Sequence, residues 1–433
     1  MNDYEFGNYI YDLRKKAGLS QSELAAQLGV TNKAVSKWEN GKAKPSTDTI
    51  RKLANLLGVS VETLLEKKKG REHMQITKFV ITGGPCAGKT TAMGWIQSNF
   101  TKMGYTVLFV PETATELITG GVAPWTCGSN ADYQKCQMML QLEKEKVFEL
   151  GASTMPCDKI LIVCDRGTLD NKAYMSSLDF STVLSSLGCN EVELRDRYDA
   201  VFHLVTAAKG AEQFYTTANN SARIETVEQA VALDDKILAA WPGHPHFRVI
   251  DNETNFEDKM KRLIKEIASF LGGPQPYEIE RKFLIEYPDI AWLESLPNCS
   301  RIDVIQTYLT AKDGEERRIR QRGSEGHYMY FMTTKRGTGV KRIEVEKRLT
   351  KDEYLIALME TDVSRRPIRK TRYCLTWGIQ YFEIDVYPFW QDKAIVEIEL
   401  TDEHEPVELP PQLRVICEVT DDPEYKNARL AEM

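Results

Sequence analysis

Gly83-Gly84-Pro85-Cys86-Ala87-Gly88-Lys89-Thr90-Thr91 fits the pattern G-x-x-x-x-G-K-[ST] at every fixed position. Residues 76–82 before it read as a buried β-strand, and residues 91–100 after it read as a helix. A glycine loop between strand and helix is a phosphate cradle, because the glycines let backbone N–H groups close around an anion and the helix N-terminus adds partial positive charge. In that arrangement Lys89 reaches the β- and γ-phosphates of a nucleoside triphosphate, and the Thr90 hydroxyl ligates Mg²⁺. The whole run from Gly83 to Thr91 is therefore expected to hold ATP.

The strand and helix patterns around the loop continue in alternation. Residues 106–110, 159–164, 200–205 and 247–250 read as further strands, with helical stretches at 132–150, 225–240 and 256–270. Alternation of this kind implies a parallel sheet with ligands at the strand C-termini. Asp165 follows five apolar residues at a strand end, where a Mg²⁺-associated carboxylate belongs. Arg166 contacts either phosphate or a carboxylate. Glu112 follows a strand on the same face and either faces an acceptor substrate or caps a turn.

The segment resembles compact P-loop ATP-binding domains related to nucleoside and nicotinamide-riboside kinases, over about residues 74–272. The resemblance rests on Gly83 to Thr91, Pro111-Glu112-Thr113-Ala114, Asp165-Arg166-Gly167, the run from Asn219 to Thr226, and Ile250-Asp251-Asn252. It implies a lid from Lys209 to Arg223, with Arg223 as a phosphate clamp that stabilises charge on the transferring phosphoryl group. It also implies that Asp251 and Asn252 hold the adenine. It names no acceptor.

Residues 1–70 differ in character. They hold twelve Lys or Arg against eight Asp or Glu, a balance of +4, whereas the whole chain carries −7 and the remainder −11. A basic head on an acidic body suggests nucleic acid as the partner of the head. Apolar residues recur there at helical spacing. Ser20 with Glu23 reads as a capping box, Gly29 as a helix stop, Thr31 or Asn32 as the next cap, and Pro45-Ser46-Thr47 as the start of a further helix. Two short helices joined by a tight turn describe a helix-turn-helix, although a helical protein-interaction domain carries the same pattern. The segment resembles the Cro/repressor (XRE) helix-turn-helix family through residues 19–25, residues 30–41 and Pro45. The resemblance implies that the helix from Asn32 enters the major groove of double-stranded DNA. Thr31, Asn32, Lys33, Ser36 and Lys37 would then face DNA, Val35 and Trp38 stay in the core, and Gln21 and Lys42 contact phosphate. Lys67-Lys68-Lys69-Gly70-Arg71 reads as a solvated linker or as further phosphate contact.

Beyond the linker-like Gly272-Gly273-Pro274-Gln275-Pro276, the period becomes two. Glu278, Glu280 and Lys282 share one strand face, as do Arg318 with Arg320, Arg342 with Glu344 and Glu346, Lys370 with Arg372, Glu383 with Asp385, and Glu397 with Glu399. Either a sheet holds these charges in water, or a closed barrel holds them inside around a polyanion and divalent metals. Glu278-Ile279-Glu280-Arg281-Lys282 is similar to the E-x-E-x-K opening of the CYTH, or triphosphate tunnel, family, and the later charged pairs follow in family order to about residue 430. The resemblance implies an eight-stranded antiparallel tunnel. Lys282, Arg318, Arg320, Lys335, Arg342, Lys370 and Arg372 would hold phosphate oxygens, and Glu278, Glu280, Glu397 and Glu399 would hold Mg²⁺ or Mn²⁺. It does not choose among the family's triphosphatase and cyclase activities.

A length of 433 residues suits two to four domains. The expected fold is α + α/β + β, with a helix-turn-helix head at 1–70, a parallel-sheet P-loop domain at 74–272 and an antiparallel β tunnel at 276–433. No apolar run reaches the roughly 18 residues of a membrane span, and the opening Met1-Asn2-Asp3-Tyr4-Glu5 has no signal-like character, so a cytoplasmic location is expected. Nine cysteines without a C-x-x-C pair read as reduced thiols, and the proline in His244-Pro245-His246 argues for a turn over a metal site. The candidate functions are a nucleotide-responsive transcriptional regulator, a bifunctional kinase or NTPase joined to a triphosphatase, and a sensor that turns nothing over. In the enzymatic readings Lys89, Asp165, Arg223, Glu280 and Lys282 carry the chemistry. A homodimer is the default for a head that reads two half-sites.

Overall fold

A computed structural model of the chain describes residues 10–11, 13–15, 17–40, 42–57, 74–215, 226–272, 279–311, 315–336, 343–400 and 405–432. The structure divides into two compact units, Met1–Ile76 with Met155–Ile160, and Thr77–Thr154 with Leu161–Met433.

In the first unit, three helices follow from their caps. Ser20 and Glu23 form a reciprocal capping box on α1 (Gln21–Leu28), and Gly29 ends it at φ 68°. The Thr31 hydroxyl caps α2 (Asn32–Glu39), and Ser46 caps α3 (Thr47–Leu56). Ile10, Leu24, Leu28, Val35, Trp38 and Leu53 form the shared core. Beneath it lies a pair that charge counting did not single out. Arg14 Nε donates to Glu39 Oε1 at 2.6 Å, both side chains being almost wholly buried.

The second unit contains two sheets. In the first, β1 (Gln75–Thr82), β2 (Thr106–Val110), β3 (Lys159–Asp165), β4 (Ala200–Leu204) and β5 (Phe247–Ile250) lie in the order β2-β3-β1-β4-β5. The β1–β4 and β4–β5 pairs are parallel. Phe79, Ile81, Leu161, Val163, Phe202 and Ile250 pack against α4 (Lys89–Lys102) and, further along the chain, the helix Phe256–Phe270. Further helices surround the sheet: α5 (Thr113–Thr119), α6 (Asn130–Thr154), α7 (Ser177–Leu187), α8 (Glu191–Arg195), α9 (Val227–Leu238) and α10 (Phe256–Phe270).

The second sheet is antiparallel. It comprises β6 (Ile279–Glu286), β7 (Cys299–Leu309), β8 (Glu315–Ser324), β9 (His327–Arg336), β10 (Ile343–Leu349), β11 (Ile368–Trp377), β12 (Gln380–Val386), β13 (Lys393–Leu400) and β14 (Val415–Glu418). The order is β10-β9-β8-β7-β11-β12-β13-β6-β14, nine strands where eight were expected. The count rises because the short β14 adds to the outer side of β6, with a bulge between Val415 and Cys417. Phe283, Ile285, Tyr373, Leu375, Phe382, Ile384, Val396 and Ile398 form a core on one face. On the other face Lys370, Asp385 and Glu397 are also buried, which a face turned to water would not allow.

The two sheets of this unit meet at residues 243–247. Tyr381 of β12 accepts from Gly243 N at 2.9 Å and donates to His244 O at 2.9 Å. Gly243 sits at φ +99°, and a Cβ there would lie 2.8 Å from Arg195 Nη1. His244 Nε2 lies 3.0 Å from Tyr198 O and its Nδ1 accepts from His246 N at 3.1 Å. Burial holds this imidazole down at about 3, so it is a neutral member of the core.

Candidate functional site

The phosphate loop runs from the C-terminal end of β1 into α4. Gly83, at φ +137°, passes so close to β4 that a Cβ would lie 2.0 Å from Leu204 O. Gly88, at φ +93°, faces the Phe256 ring at 2.7 Å in the same sense. Between them Cys86 also takes a positive φ, 55°. The loop is propped from behind. Gly84 N donates to Asp234 Oδ1 of α9 at 2.7 Å, and the Thr206 hydroxyl donates to Pro85 O. Asp234 also meets His203 Nε2 at 3.1 Å and Lys209 Nζ at 3.2 Å. Its carboxyl is drawn well below the usual range, because His203, Lys209 and the Gly84 N–H outweigh the opposing effect of burial.

Lys89 opens α4. Its Nζ donates to Gly83 O at 3.1 Å and Gly84 O at 3.3 Å, folded back over the loop. Burial and the Arg166 charge lower it to about 8, against the pull of Asp165, Glu112 and Asp170. Asp165 ends β3. Its Oδ1 is buried without a hydrogen-bond partner, and burial, with Glu112 and Asp170, raises its carboxyl. A lone carboxylate oxygen here, with the exposed Thr90 in the first turn of α4, is an oxygen donor set that fits Mg²⁺.

Arg166 and Glu112 meet beside the loop. Arg166, at φ 72°, donates through Nε to Glu112 Oε1 at 2.5 Å. Glu112 sits at the N-cap position of α5 without a backbone cap bond; its Oε2 accepts from the Thr115 hydroxyl at 2.7 Å. Burial pushes the Glu112 carboxyl up, but Arg166 and Lys89 outweigh it and hold it at about 2. Asp251 pairs with Arg262 at 2.7 Å, and its Oδ2 is buried without a partner. Asn252 is committed to the backbone, donating to Thr206 O at 2.8 Å and Lys209 O at 2.7 Å. Arg223 lies outside the described residues.

In the antiparallel sheet the register gathers the expected charges on one face. Glu397 stands opposite Lys282, Glu399 opposite Glu280, and Glu383 opposite Glu397. Lys282 Nζ lies 2.5 Å from Glu397 Oε1 and 3.2 Å from Glu280 Oε1. Arg372 is the hub. It meets Asp385 Oδ1 and Oδ2 at 2.7 Å each and Glu397 Oε2 at 2.8 Å, and it also pairs with Glu383. Lys370 pairs with Asp385. Arg320 lies 4.0 Å from Glu346, and burial with the like charges of Arg318, Arg372 and Arg322 pushes its guanidinium down. Arg318 stands opposite Tyr308, and Lys335 opposite Glu316 and Glu344. Glu278 and Arg342 lie outside the described residues.

Glu280, Glu397 and Glu399 are electrostatically linked: burial and the charges of Glu397 and Glu399 raise the Glu280 carboxyl. Among the described residues no group of three or more His, Cys, Asp or Glu side chains is arranged to hold a metal ion. The carboxylates present are hard oxygen donors of the kind Mg²⁺ or Mn²⁺ takes, but lysine and arginine now hold them.

In the head, Asn32, Lys33 and Lys37 of α2 are exposed, Ser36 is half-buried, and Val35 and Trp38 are buried. The Thr31 hydroxyl accepts from Ala34 N at 3.2 Å, so its polar atom caps the helix. Gln21 donates to Glu39 Oε2 at 2.7 Å, and Lys42 is exposed.

Sequence reasoning missed Asp234, Asp170 and Lys259. Asp170 accepts from the Thr82 hydroxyl at 2.6 Å and from Trp241 Nε1 at 2.7 Å. Lys259 Nζ donates to Ala87 O at 3.3 Å, Val205 O at 2.7 Å and Asn252 Oδ1 at 2.7 Å. Each stands outside the motifs that mark the site in the sequence. Their signal is a charged residue at a position the helical period assigns to the core.

A family model described as a helix-turn-helix matches residues 10–64, and one described as an AAA domain matches residues 78–259. The SPbeta prophage-derived uncharacterized HTH-type transcriptional regulator YonR of Bacillus subtilis is 43% identical over 61 residues, 14% of this chain and 56% of that protein. The HTH-type transcriptional regulator SinR of the same organism is 40% identical over 68 residues, 16% of this chain and 61% of that protein. Among solved structures, one described as the inorganic triphosphatase NE1496 is 32% identical, covering 36% of this chain and 95% of that one at a TM-score of 0.26. The chain spans 56%, 30% and 48% of the first three curated relatives it matches. The head is thus an XRE-type helix-turn-helix like those of transcriptional regulators, and residues 78–259 are an AAA-type nucleotide-binding domain. Among the described residues, no helix is long and apolar enough to cross a membrane.

Proposed function

We propose that this chain is a DNA-binding regulator that responds to nucleotides, built from a head at 1–70, an ATP-binding domain at 74–272 and a triphosphate-binding β-domain at 276–433. The observation that carries the nucleotide reading is the pairing of a propped phosphate loop with a lone acceptor. Lys89 lies over Gly83 and Gly84, while Asp165 Oδ1 is buried without a partner. ATP would displace Lys89 from the loop carbonyls, and the charged ammonium would then hold the β- and γ-phosphates. Thr90 and Asp165 would hold Mg²⁺, which neutralises charge on the phosphate oxygens when bound. Arg166 is tied to Glu112, so its first role is to orient that carboxylate beside the loop. Arg223 is the proposed clamp from the lid.

The second reading is a bifunctional enzyme, and the crowding of cations in the antiparallel sheet favours it. Burial, with Arg318, Arg372 and Arg322 nearby, pushes the Arg320 guanidinium down, an arrangement that a polyanion relieves. In this reading Lys282, Arg318, Arg320, Lys335, Arg342, Lys370 and Arg372 hold the phosphates of a triphosphate. Glu278, Glu280, Glu397 and Glu399 hold Mg²⁺ or Mn²⁺. The α2 face of Asn32, Lys33, Ser36 and Lys37 reads duplex DNA, with Lys42 and Gln21 towards the phosphates, and the head pairs with a second copy.

Calorimetric titration of the full chain separates the two pockets. Lys89→Ala should lose ATP·Mg²⁺ binding and keep tripolyphosphate binding, while Lys282→Ala should do the reverse. Unchanged ATP affinity in Lys89→Ala removes the phosphate-loop reading. Unchanged tripolyphosphate affinity in Lys282→Ala removes the β-domain reading.

A further inference from the structure

On the charged face of the antiparallel sheet, Glu397, Glu383 and Asp385 draw their cations from strands of the same sheet. Glu399 draws its cation from the other sheet. Arg248, in β5 of the nucleotide-binding domain, donates through Nη2 to Glu399 Oε2 at 2.6 Å, and His246 Nδ1 lies 4.0 Å from the same oxygen. Neither group is a loose surface arm. The Arg248 side chain is 23% exposed, and its Nε lies 3.7 Å from Glu266 of α10. Its anchorage is the junction between the sheets. Phe247 packs edge-on against Tyr381 at 5.7 Å and 90°. Arg322 of β8 donates to Gly243 O, and Arg348 of β10 donates to Asp196 O. Burial pushes the Glu399 carboxyl up, and Arg248 with His246 more than reverses this. Glu399 stands opposite Glu280 in the β13–β6 register.

We propose that Arg248 belongs to the triphosphate site of the β-domain, as its resident counter-cation at Glu399. This rests on the reading of that face as a triphosphate and metal site. A divalent cation taken up by Glu280 and Glu399 competes with the guanidinium, because it draws on the same carboxylate charge that Arg248 now holds through Oε2. A triphosphate arriving with the cation offers the freed Arg248 an anionic partner, so the side chain exchanges a carboxylate for a phosphate oxygen. The β-sheet by itself is then an incomplete site, and the nucleotide-binding domain supplies one of its ligand-holding residues.

The test is uptake of Mn²⁺ read by electron paramagnetic resonance, on the nucleotide-free full chain carrying Thr90→Ala to remove metal at the phosphate loop. Arg248→Gln should take up Mn²⁺ about tenfold more tightly than the parent, since a competing positive charge is gone. Arg248→Lys, which keeps the charge but loses the planar fork, should fall between them. With tripolyphosphate present the order should invert, Arg248→Gln binding it about tenfold more weakly. The proposal is overturned if Mn²⁺ uptake is lost in Glu280→Gln yet equal in Arg248 and Arg248→Gln proteins. If Arg248→Gln does not fold, equal uptake by Arg248→Lys and parent overturns it instead. No Mn²⁺ uptake and no tripolyphosphate binding by the parent would remove the β-domain reading itself, and this proposal with it.

Discussion

Replacing Arg372 by Met removes the hub of the buried ion network in the antiparallel sheet. Its guanidinium meets Asp385 twice at 2.7 Å and Glu397 at 2.8 Å, and pairs with Glu383; the partner side chains are 0%, 7% and 17% exposed. Asp385 keeps Lys370 and Glu397 keeps Lys282, so the largest uncompensated charge falls on Glu383. Breaking a buried pair by removing one partner costs about 3–5 kcal/mol. At roughly 2–4 °C per kcal/mol, the melting transition should fall by about 6–20 °C. Arg281→Met is the matched control, because Arg281 pairs with Glu418 at 2.8 Å with both side chains partly exposed to solvent; a surface pair contributes about 0–1 kcal/mol. Circular dichroism melts of both variants with and without MnCl₂ complete the assay. Mn²⁺ should raise the melting temperature of Arg372→Met more than that of the parent, because carboxylates left without a cation bind the metal and the folded state gains by mass action. The reasoning is refuted if Arg372→Met melts within a degree or two of Arg281→Met, or if Mn²⁺ shifts both equally.

Three further outcomes are expected. ATP affinity should be pH-dependent through Lys89: the free-state ammonium titrates at about 8 and bound phosphates raise it, so affinity is full below pH 8 and weakens about tenfold per unit above it, a dependence absent in Lys89→Arg, whose guanidinium stays charged. Gly83→Ala should destabilise by about 3 kcal/mol or more in urea, from φ strain plus the clash with Leu204 O. Gly121→Ala, at φ +89° with nothing within 4 Å, should show the strain alone, and equal midpoints would discount the close approach. In DNA selected by the head from a random pool, Asn32→Ala or Ser36→Ala should blur the consensus, whereas Lys42→Ala should weaken all sequences alike and flatten the salt dependence; a consensus untouched by Asn32→Ala removes α2 from the groove.

Elements with a strong local signal were legible in the sequence. The phosphate loop is set by glycines that only positive φ and close backbone approach require, so its strand and helix fell where residues 76–100 place them. Ser20, Glu23, Thr31 and Ser46 announced the head's helices because a cap is a contact over three residues. The period-two charges marked the β-strands, and the register then brought Lys282 to Glu397 as alternation implies. The helices Thr113–Thr119, Ser177–Leu187 and Glu191–Arg195 escaped notice, being short and without a long apolar stripe. So did long-range partnerships. Nothing local in Asp234-Asp235 tells that the first of the two carboxylates holds Gly84 N, 150 positions away, or that Arg248 reaches Glu399, 151 positions away. Nor does any local pattern announce that the Asn252 amide holds the backbone at Thr206 and Lys209.

The central claim is that nucleotide occupancy of the AAA-type domain alters what the helix-turn-helix head does. The direct measurement is fluorescence-anisotropy titration of the full chain against its own selected duplex, with and without ATP·Mg²⁺, for wild type and Lys89→Ala. A nucleotide-responsive regulator changes its DNA affinity by about fivefold or more in wild type and not at all in Lys89→Ala. Equal affinities with and without ATP in wild type, at nucleotide concentrations shown by calorimetry to saturate the loop, would contradict it.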